Sequence, residues 1–232
     1  MQSSATTGNP ESAVLAAAGA RLALQQVLLL QGAHEIRNQL AIILLQLGKL
    51  ADGSARQIES EVRALSQTVD RLALLARLTG GVEAPMVDID IAAITSVAIT
   101  RVGAAQNARG VLVEQVDQGG MMQGHQHFVC EAICCVLENA YRHSPSGRRI
   151  VVTNGPGPIV TIDDDGPGFP EHPAHSLAAP FAVGRSPGAG AGLGLTIANE
   201  VARLHGGDFM AAKSELGGAR VVLRLAATNR TG

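Results

Sequence analysis

Two glycine clusters on either side of one loop constrain the fold of this chain more than any other stretch. The first reads Asp-Asp-Asp-Gly-Pro-Gly-Phe from Asp163, and the second reads Gly-Ala-Gly-Ala-Gly-Leu-Gly-Leu and ends at Leu195. Residues 195–205 continue with the apolar spacing of a helix. Glycine has no Cβ, so backbone N–H groups in such a loop approach a ligand closely. The helix behind them adds free N–H groups and its macrodipole, and the stretch therefore predicts an anion-binding site.

An acidic residue stands next to the first glycine cluster. Asp164 follows the largely apolar run 158–162, and a strand there would deliver its carboxylate to the rim of the same cavity. A carboxylate accepts a hydrogen bond from an exocyclic amine, while glycine N–H groups bind phosphates. Arg185, in the intervening loop, is either a further phosphate contact or a solvated loop charge. The stretch as a whole predicts a nucleotide site.

The composition argues against two classes of partner. The net charge of −2 offers no basic surface for a phosphate backbone, and aromatic residues make up only 2% of the chain, with no Trp for base stacking. No apolar run reaches the roughly 18 residues of a membrane-spanning helix. Residues 1–10, which we expect to be flexible, lack the pattern of a signal peptide. We therefore expect a cytoplasmic chain without direct membrane insertion, with any membrane sensor residing either in a separate protein or in a region removed from this chain.

Residues 11–80 carry apolar side chains at the spacing of two long helices. The first series is Leu15, Leu22, Leu29, Ile36, Ile43 and Leu50. After a turn at 51–54, the second series is Ile58, Val62, Leu65, Val69, Leu72 and Ala76. The pattern predicts a helical hairpin. Since one hairpin covers little of its own apolar stripe, we expect a homodimeric four-helix bundle or, alternatively, packing of the hairpin on its own C-terminal domain.

Three polar residues of the first helix fall outside the first series and outside the parallel seam of Gly19, Gln26, Ala33, Leu40 and Leu47. His34 and Asn38 are one helical turn apart on the same face, and Glu35 directly follows the histidine. A single exposed histidine on a helix is usually only surface. Here the adjacent carboxylate can hold the tautomer of a nucleophilic imidazole and accept its proton during attack. The three residues are therefore candidate catalytic groups.

Residues 81–232 combine short strands with three helical segments. The predicted strands are 86–90, 111–116, 149–154, 159–163, 208–212 and 219–226, and the predicted helices are 91–106, 127–143 and 195–205. This mixture predicts an α/β sandwich, in which one antiparallel or mixed sheet carries helices on one face. The chain as a whole is then α+β, with a flexible N-terminus at 1–10, a dimerisation domain at 11–80 and a catalytic domain at 81–232.

The helix predicted at 127–143 ends with two candidate ligand contacts. Asn139 and Arg142 are three residues apart and share a helix face. An amide oxygen can ligate Mg²⁺, and a guanidinium can hold phosphate oxygens. The alternative for Asn139 is a helix-end cap.

Three cysteines lie in the same helical segment. Cys130, Cys134 and Cys135 have i, i+4 and i+5 spacing, which is not a disulfide framework. Free cysteine packs as a small hydrophobe, so the pattern favours buried reduced thiols. Redox sensing is the alternative.

Five motifs occur along the chain in one fixed order. The segments are 34–40, 138–145, 164–168, 180–181 and 190–195, and they look like the H, N, first glycine, F and second glycine boxes of one family. The chain therefore resembles, over about residues 11–226, the catalytic core of a bacterial sensor histidine kinase of two-component signalling. This resemblance implies a phosphoacceptor hairpin followed by the Bergerat-type ATP-binding fold shared with gyrase and Hsp90-like ATPases.

The resemblance also implies roles for single residues. His34 would take the γ-phosphoryl group of ATP and pass it to an Asp of a response regulator, and Asn38 would orient the water that dephosphorylates the regulator. Asn139 would bind Mg²⁺. The implied nucleotide contacts are Asn139, Arg142, Asp164, Gly166, Gly168, Arg185, Gly190, Gly192, Leu193 and Gly194.

The chain departs from the family pattern at two positions. Cys135 stands where the family usually has Asn, and Ala191 stands where Thr or Ser is frequent. Two alternatives to a kinase therefore stay open. One is a degenerate phosphotransferase or scaffold with weak ATP binding, and the other is an ATPase or a kinase that phosphorylates Ser on the same fold.

Overall fold

The computed structural model describes residues 32, 35, 36, 39, 42, 43, 54–80, 85–106, 111–144, 149–169, 177–181 and 192–226. The chain divides into two compact units, Met1–Gly80 and Gly81–Gly232. No described helix combines the length and the apolar character needed to cross a membrane.

The first unit contains the helix α1, Ser54–Gly80. Residues 32, 35, 36, 39, 42 and 43 are also helical. A Cβ added to Gly32 would lie 2.8 Å from Cδ1 of Leu72, so Gly32 lies directly against α1, as a helical hairpin requires. Val69, a member of the predicted apolar stripe, is 46% exposed in the single chain. Pairing into a dimeric four-helix bundle stays a prediction.

The second unit contains seven strands and three helices within the described residues. In chain order they are β1 Val87–Asp90, α2 Ile91–Gln106, β2 Leu112–Asp117, β3 Met121–Gly124, α3 Gln126–His143, β4 Arg149–Asn154, β5 Ile159–Asp164, α4 Gly194–Leu204, β6 Asp208–Lys213 and β7 Ala219–Arg224. All the strands and helices predicted after residue 85 are present, with ends that differ by a few residues.

Five strands form one mixed sheet in the order β2-β4-β5-β7-β6. β2 runs parallel to β4, and the other neighbours are antiparallel. The parallel pair arises because the chain crosses over through α3 before it returns as β4. Hairpins supply the antiparallel pairs β4–β5 and β6–β7. The predicted fold class is confirmed, and the structure selects the mixed sheet over the antiparallel one.

One face of this sheet is buried against the helices. Successive residues of a strand point to opposite faces, and the buried members of β4 and β7 alternate accordingly. The row Val152, Ile162 and Val221 lies on the buried face, since the pairing register places these residues side by side. Helices α3 and α4 supply the other half of the core through Phe128, Ile133, Leu137, Ile197 and Val201. Burial of this apolar surface drives the assembly of the domain.

The opposite face carries ion pairs between neighbouring strands. Arg149 contacts Glu114 at 2.6 Å, and Arg220 contacts Asp163 at 2.7 Å.

A short strand, β3, was not predicted. It has four residues and pairs with β1 in a separate two-stranded sheet, in which Ile89 lies opposite Met122. Four residues give too short a pattern for periodicity to detect. The strand exists because β1, more than thirty residues earlier in the chain, supplies its hydrogen-bond partners.

Candidate nucleotide-binding site

Asp164 is the last residue of β5 and lies on the buried face of the sheet. The register pairs it with Ile150, and it is only 3% exposed. A buried carboxylate needs hydrogen-bond donors. Oδ1 accepts two of them, from the backbone N–H of Gly166 at 2.9 Å and from that of Ala219 at 3.0 Å. Both donors are backbone N–H groups and both bond Oδ1, so Oδ2 is the oxygen that we expect a ligand donor to reach.

The environment of Asp164 adjusts its acidity. Burial raises the pKa of this carboxyl above its ordinary value, and the two backbone hydrogen bonds oppose that rise. The result is a carboxylate with a fixed orientation and an incompletely satisfied charge. Such a group is a strong acceptor for an exocyclic amine of a base.

Two glycines allow the backbone to approach Asp164. A Cβ on Gly166 would lie 3.0 Å from Oδ1 of Asp164 and 2.8 Å from the carbonyl oxygen of His143. A Cβ on Gly218 would collide with the same carboxylate oxygen. Gly168 adopts φ +78°, a conformation that side chains rarely adopt. Because Gly166 has no Cβ, the loop after β5 can pass directly against the C-terminal end of α3.

Gly218 was missed by the sequence reading. Its signal, a Gly-Gly pair before the last strand, indicates only a turn. The structure shows why position 218 is glycine: any side chain there would collide with the carboxylate of Asp164, which comes from a strand much earlier in the chain.

Asn139 and Arg142 lie in the last turns of α3, and both are partly exposed. The helix continues to His143, and its end is marked by Ser144, whose N–H donates to the carbonyl of Ala140 at 2.9 Å. Asn139 is therefore inside the helix and does not cap it. Its side chain makes no hydrogen bond to the described residues, so its amide oxygen is available as a metal ligand.

The N-terminus of α4 supplies backbone donors. The helix begins at Gly194, and no side chain caps it within the described residues. Its first turn holds no acidic residue, so nothing there competes with an anion for the free N–H groups. Gly192, just before the helix, has φ +65° and turns the chain into it. Leu193 is fully buried, so only its backbone is available to a ligand.

Helix α4 begins against α3, one turn before Asn139. A Cβ on Gly194 would lie 3.5 Å from the carbonyl oxygen and 3.6 Å from Cβ of Cys135. Since Cys135 and Asn139 are four residues apart, they share one face of α3. The N-terminus of α4 therefore lies against the turn of α3 that precedes Asn139, the candidate metal ligand.

The described residues thus bring together most of the predicted nucleotide contacts. Asp164 and Gly166 lie near the C-terminal end of α3, and the Gly192–Gly194 turn lies against the earlier turn of α3 that contains Cys135. His34, Asn38, Arg185 and Gly190 lie outside the described residues. Glu35 is helical and partly exposed, and its Oε1 accepts a hydrogen bond from Nε2 of Gln39 at 3.3 Å.

The arrangement fits a nucleoside triphosphate with Mg²⁺. A buried carboxylate suits the base, and an uncapped helix end suits the phosphates. No described group of three or more His, Cys, Asp or Glu side chains could hold a metal ion by itself. A hard cation would therefore be held by Asn139 together with phosphate oxygens and water, which is how Mg²⁺ is usually bound beside a nucleotide.

Residues 124–229 match the sequence family described as "Histidine kinase-, DNA gyrase B-, and HSP90-like ATPase". The sensor protein CutS of Streptomyces coelicolor is 30% identical over 212 residues, which cover 84% of this chain and 51% of that protein. The signal transduction histidine-protein kinase AfsQ2 of the same organism is 30% identical over 185 residues, or 76% of this chain and 33% of that one. The chain spans about half the length of CutS and 33% of the length of AfsQ2.

Two solved structures share the fold. The mycobacterial sensor histidine kinase MprB is 26% identical with a TM-score of 0.52, over 60% of this chain and 97% of that one. The Acinetobacter baumannii histidine kinase AdeS has a TM-score of 0.69 over 84% of this chain and 98% of that one. Its identity is 17%, so this second match is a match of fold alone.

Proposed function

We propose that this chain, which belongs through residues 124–229 to the histidine kinase-, DNA gyrase B- and HSP90-like ATPase family, is an ATP-dependent protein histidine kinase. The resemblance to the catalytic core of a two-component sensor kinase, first seen in the motifs, is confirmed by the relatives and the solved structures. The proposed reaction is autophosphorylation of His34, followed by phosphoryl transfer to an Asp of a response regulator.

One observation carries the proposal. The loop that follows a buried carboxylate and an uncapped helix N-terminus both lie against the C-terminal half of α3, through Gly166 and Gly194. A ligand that satisfies both ends must have an amine donor at one end and an anionic group at the other. ATP has both, and the residues between them, Asn139 and Arg142, have the chemistry to hold Mg²⁺ and phosphate oxygens.

Each residue then has a defined task. Asp164 accepts a hydrogen bond from the adenine amine, and the N–H groups of the Gly192–Gly194 turn and of the first turn of α4 bind phosphate oxygens. Arg142 adds positive charge beside the phosphates. Mg²⁺, when bound, neutralises charge that develops on the phosphate oxygens. Phosphoryl transfer requires mainly this positioning and charge neutralisation.

The first chemical step is written with His34 as nucleophile. A ring nitrogen forms a bond to the γ-phosphorus, the bond to the bridging oxygen breaks, and ADP leaves. The proton on the other ring nitrogen passes to Glu35, whose carboxylate is oriented by Gln39 at 3.3 Å. In the second step Glu35 returns the proton to the free ring nitrogen, an Asp oxygen of the regulator attacks the phosphorus, the P–N bond breaks, and His34 leaves as neutral imidazole. Asn38 orients the water that later hydrolyses the regulator's acyl phosphate.

The proposal extends to assembly and partners. Residues 11–79 would form the dimer, and the exposure of Val69 leaves part of the apolar stripe available for a second copy. The proposed partner in phosphotransfer is a receiver domain of a response regulator, and the proposed compartment is the cytoplasm.

The test is incubation of the chain with Mg-ATP that carries a labelled γ-phosphoryl group. We expect label that is lost in acid and kept in base, as for a phosphohistidine, and no label on His34→Gln. Absence of label together with undetectable ATP binding would favour a degenerate scaffold. Label that survives acid would favour a Ser kinase on the same fold.

A further inference from the structure

A histidine at the end of α4 is completely buried and takes no part in the nucleotide site. His205 directly follows the last residue of α4 and has 0% exposure. Its Nδ1 lies 2.8 Å from the carbonyl oxygen of Val201, one turn earlier in the same helix. Its Nε2 accepts a hydrogen bond at 3.0 Å from the backbone N–H of His125, the residue that precedes α3. One imidazole thus joins the end of α4 to the start of α3.

The two partners of this ring require one protonation state. A carbonyl oxygen can only accept, so Nδ1 carries the proton that it donates to Val201. A backbone N–H can only donate, so Nε2 must be without a proton in order to accept from His125. A second proton on the ring would place one N–H directly against another. Protonation of His205 is therefore incompatible with the hydrogen bond to the start of α3.

The charged residues near His205 along the chain do not hydrogen-bond to its ring. They form ion pairs with each other, Glu200 with Arg203 at 3.4 Å and Asp208 with Arg224 at 2.8 Å. The titratable group that faces His205 from another element is the ring of His125, with 5.6 Å between the two centroids. The surroundings therefore offer no counter-ion to an imidazolium among the described residues.

A buried ring without a counter-ion stays neutral to a lower pH than an exposed histidine does. Burial lowers the pKa of His205, the hydrogen bond to Val201 opposes that shift, and the His125 ring adds to it. Strand β3 also lies against the ring, because a Cβ added to Gly124 would be 2.9 Å from Nε2. Three elements of the domain thus enclose one neutral imidazole.

We propose that His205 is a pH-sensitive contact between α4 and α3, formed by the neutral imidazole and broken when the ring takes up a second proton. The proton comes from solvent and binds Nε2. The N–H of His125 then loses its acceptor, and the end of α4 and the start of α3 separate until water satisfies both donors. The separation is confined to this end of α4, because the other end is held against Cys135 of α3 through Gly194.

The contribution of this contact to stability depends on pH with a defined sign. The unfolded chain protonates this histidine near the ordinary pKa of 6.5, whereas the folded chain does so only at a lower pH. The contribution is therefore complete above about pH 6.5 and is lost as the pH falls toward the folded pKa. Over that interval the equilibrium constant for folding falls, through this group, by up to about tenfold per pH unit.

Denaturant unfolding of the full chain from about pH 8 to about pH 5, without nucleotide, compares the native chain with His205→Gln. Glutamine has a neutral amide that donates and accepts, but it has no ring to protonate. We expect the native chain to be more stable at neutral pH, and this advantage to shrink by up to about tenfold per pH unit below about pH 6.5. His127→Gln is the matched control, because His127 is 60% exposed on α3, and it should retain the native dependence on pH. An advantage that stays constant over the whole range overturns the proposal.

Two measurements on the native chain test the contact independently of any variant. NMR of ¹⁵N-labelled histidine rings should show His205 with its proton on Nδ1 and still neutral below about pH 6.5. Amide hydrogen exchange, corrected for its intrinsic dependence on pH, should show the N–H of His125 protected at neutral pH and exchanging several-fold faster in acid. A ring that titrates near pH 6.5, or a His125 amide equally protected in acid, overturns the proposal. Either failure leaves the proposed kinase function untouched, since no nucleotide is used.

Discussion

Replacing Asp164 with asparagine removes a charge from the site and leaves the shape of the side chain unchanged. In the native chain Oδ1 accepts from Gly166 at 2.9 Å and from Ala219 at 3.0 Å. The asparagine oxygen can keep both bonds. Its NH₂ group then replaces Oδ2 and presents a donor to the adenine amine, which is itself a donor. We therefore expect Asp164→Asn to fold and to bind Mg-ATP poorly.

The magnitudes separate this variant from Asp164→Ala. Alanine leaves the buried N–H of Ala219 without an acceptor, at about 1–3 kcal/mol, while the part-buried N–H of Gly166 can turn to water, so it should destabilise the domain by roughly 1–3 kcal/mol. In Asp164→Asn both bonds become neutral and weaker, while the cost of burying a charge disappears, and these changes offset each other. The lost bond to the adenine amine has a charged acceptor, which is worth about 1.5–3 kcal/mol, or about 10- to 150-fold in affinity.

Titration calorimetry with Mg-ATP and Mg-GTP measures the effect, and denaturant unfolding measures stability. The native chain should prefer ATP, because guanine carries a carbonyl where adenine carries the amine. Asp164→Asn should lose affinity for ATP and most of that preference, with nearly native stability. Affinity within about threefold of the native chain, in a folded Asp164→Asn protein, would refute the assignment of this carboxylate to the base.

The dependence on pH has its origin in the same carboxyl. Because burial raises the pKa of Asp164, the folded chain takes up this proton at a higher pH than the unfolded chain does. Ionisation of Asp164 therefore lowers the free energy of unfolding. Protonation of this carboxyl on acidification removes that penalty. ATP affinity should fall over the same range, because the protonated carboxyl is a weaker acceptor. Affinity loss without unfolding is the expected result, and Asp164→Asn should show no such step.

The remaining predictions concern the phosphate turn, the phosphoacceptor helix and the dimer. Gly192→Ala places a side chain at φ +65°, which costs about 1–2 kcal/mol and should weaken Mg-ATP binding in calorimetry. Glu35→Ala should slow autophosphorylation by about 10²–10⁴-fold. Asn38→Ala should retain autophosphorylation while losing phosphatase activity toward a phosphorylated regulator, and equal decay with the native chain would contradict its role. Val69→Lys adds a charge at a position that is 46% exposed in the single chain, so light scattering should show a folded monomer.

The local features of this protein could be predicted from its sequence. Helices and strands have different periods, so the spacing of apolar residues and the turn residues between them were sufficient to place α3, α4 and the strands β4, β5, β6 and β7. The helix spacing of Asn139 and Arg142, three residues apart, follows from the same geometry. Glycine-rich turns also have a local cause, because a positive φ such as that of Gly168 favours glycine in any fold.

The tertiary structure alone decided the environment of each group. The burial of Asp164, its hydrogen bond from Ala219 and the need for glycine at position 218 depend on strands distant in the chain. The parallel pairing of β2 with β4 has the same origin. So does the ion pair of Arg101 with Glu131, which joins α2 to α3. A sequence pattern records the period of an element, whereas burial, donors and charges at a site depend on which elements pack together.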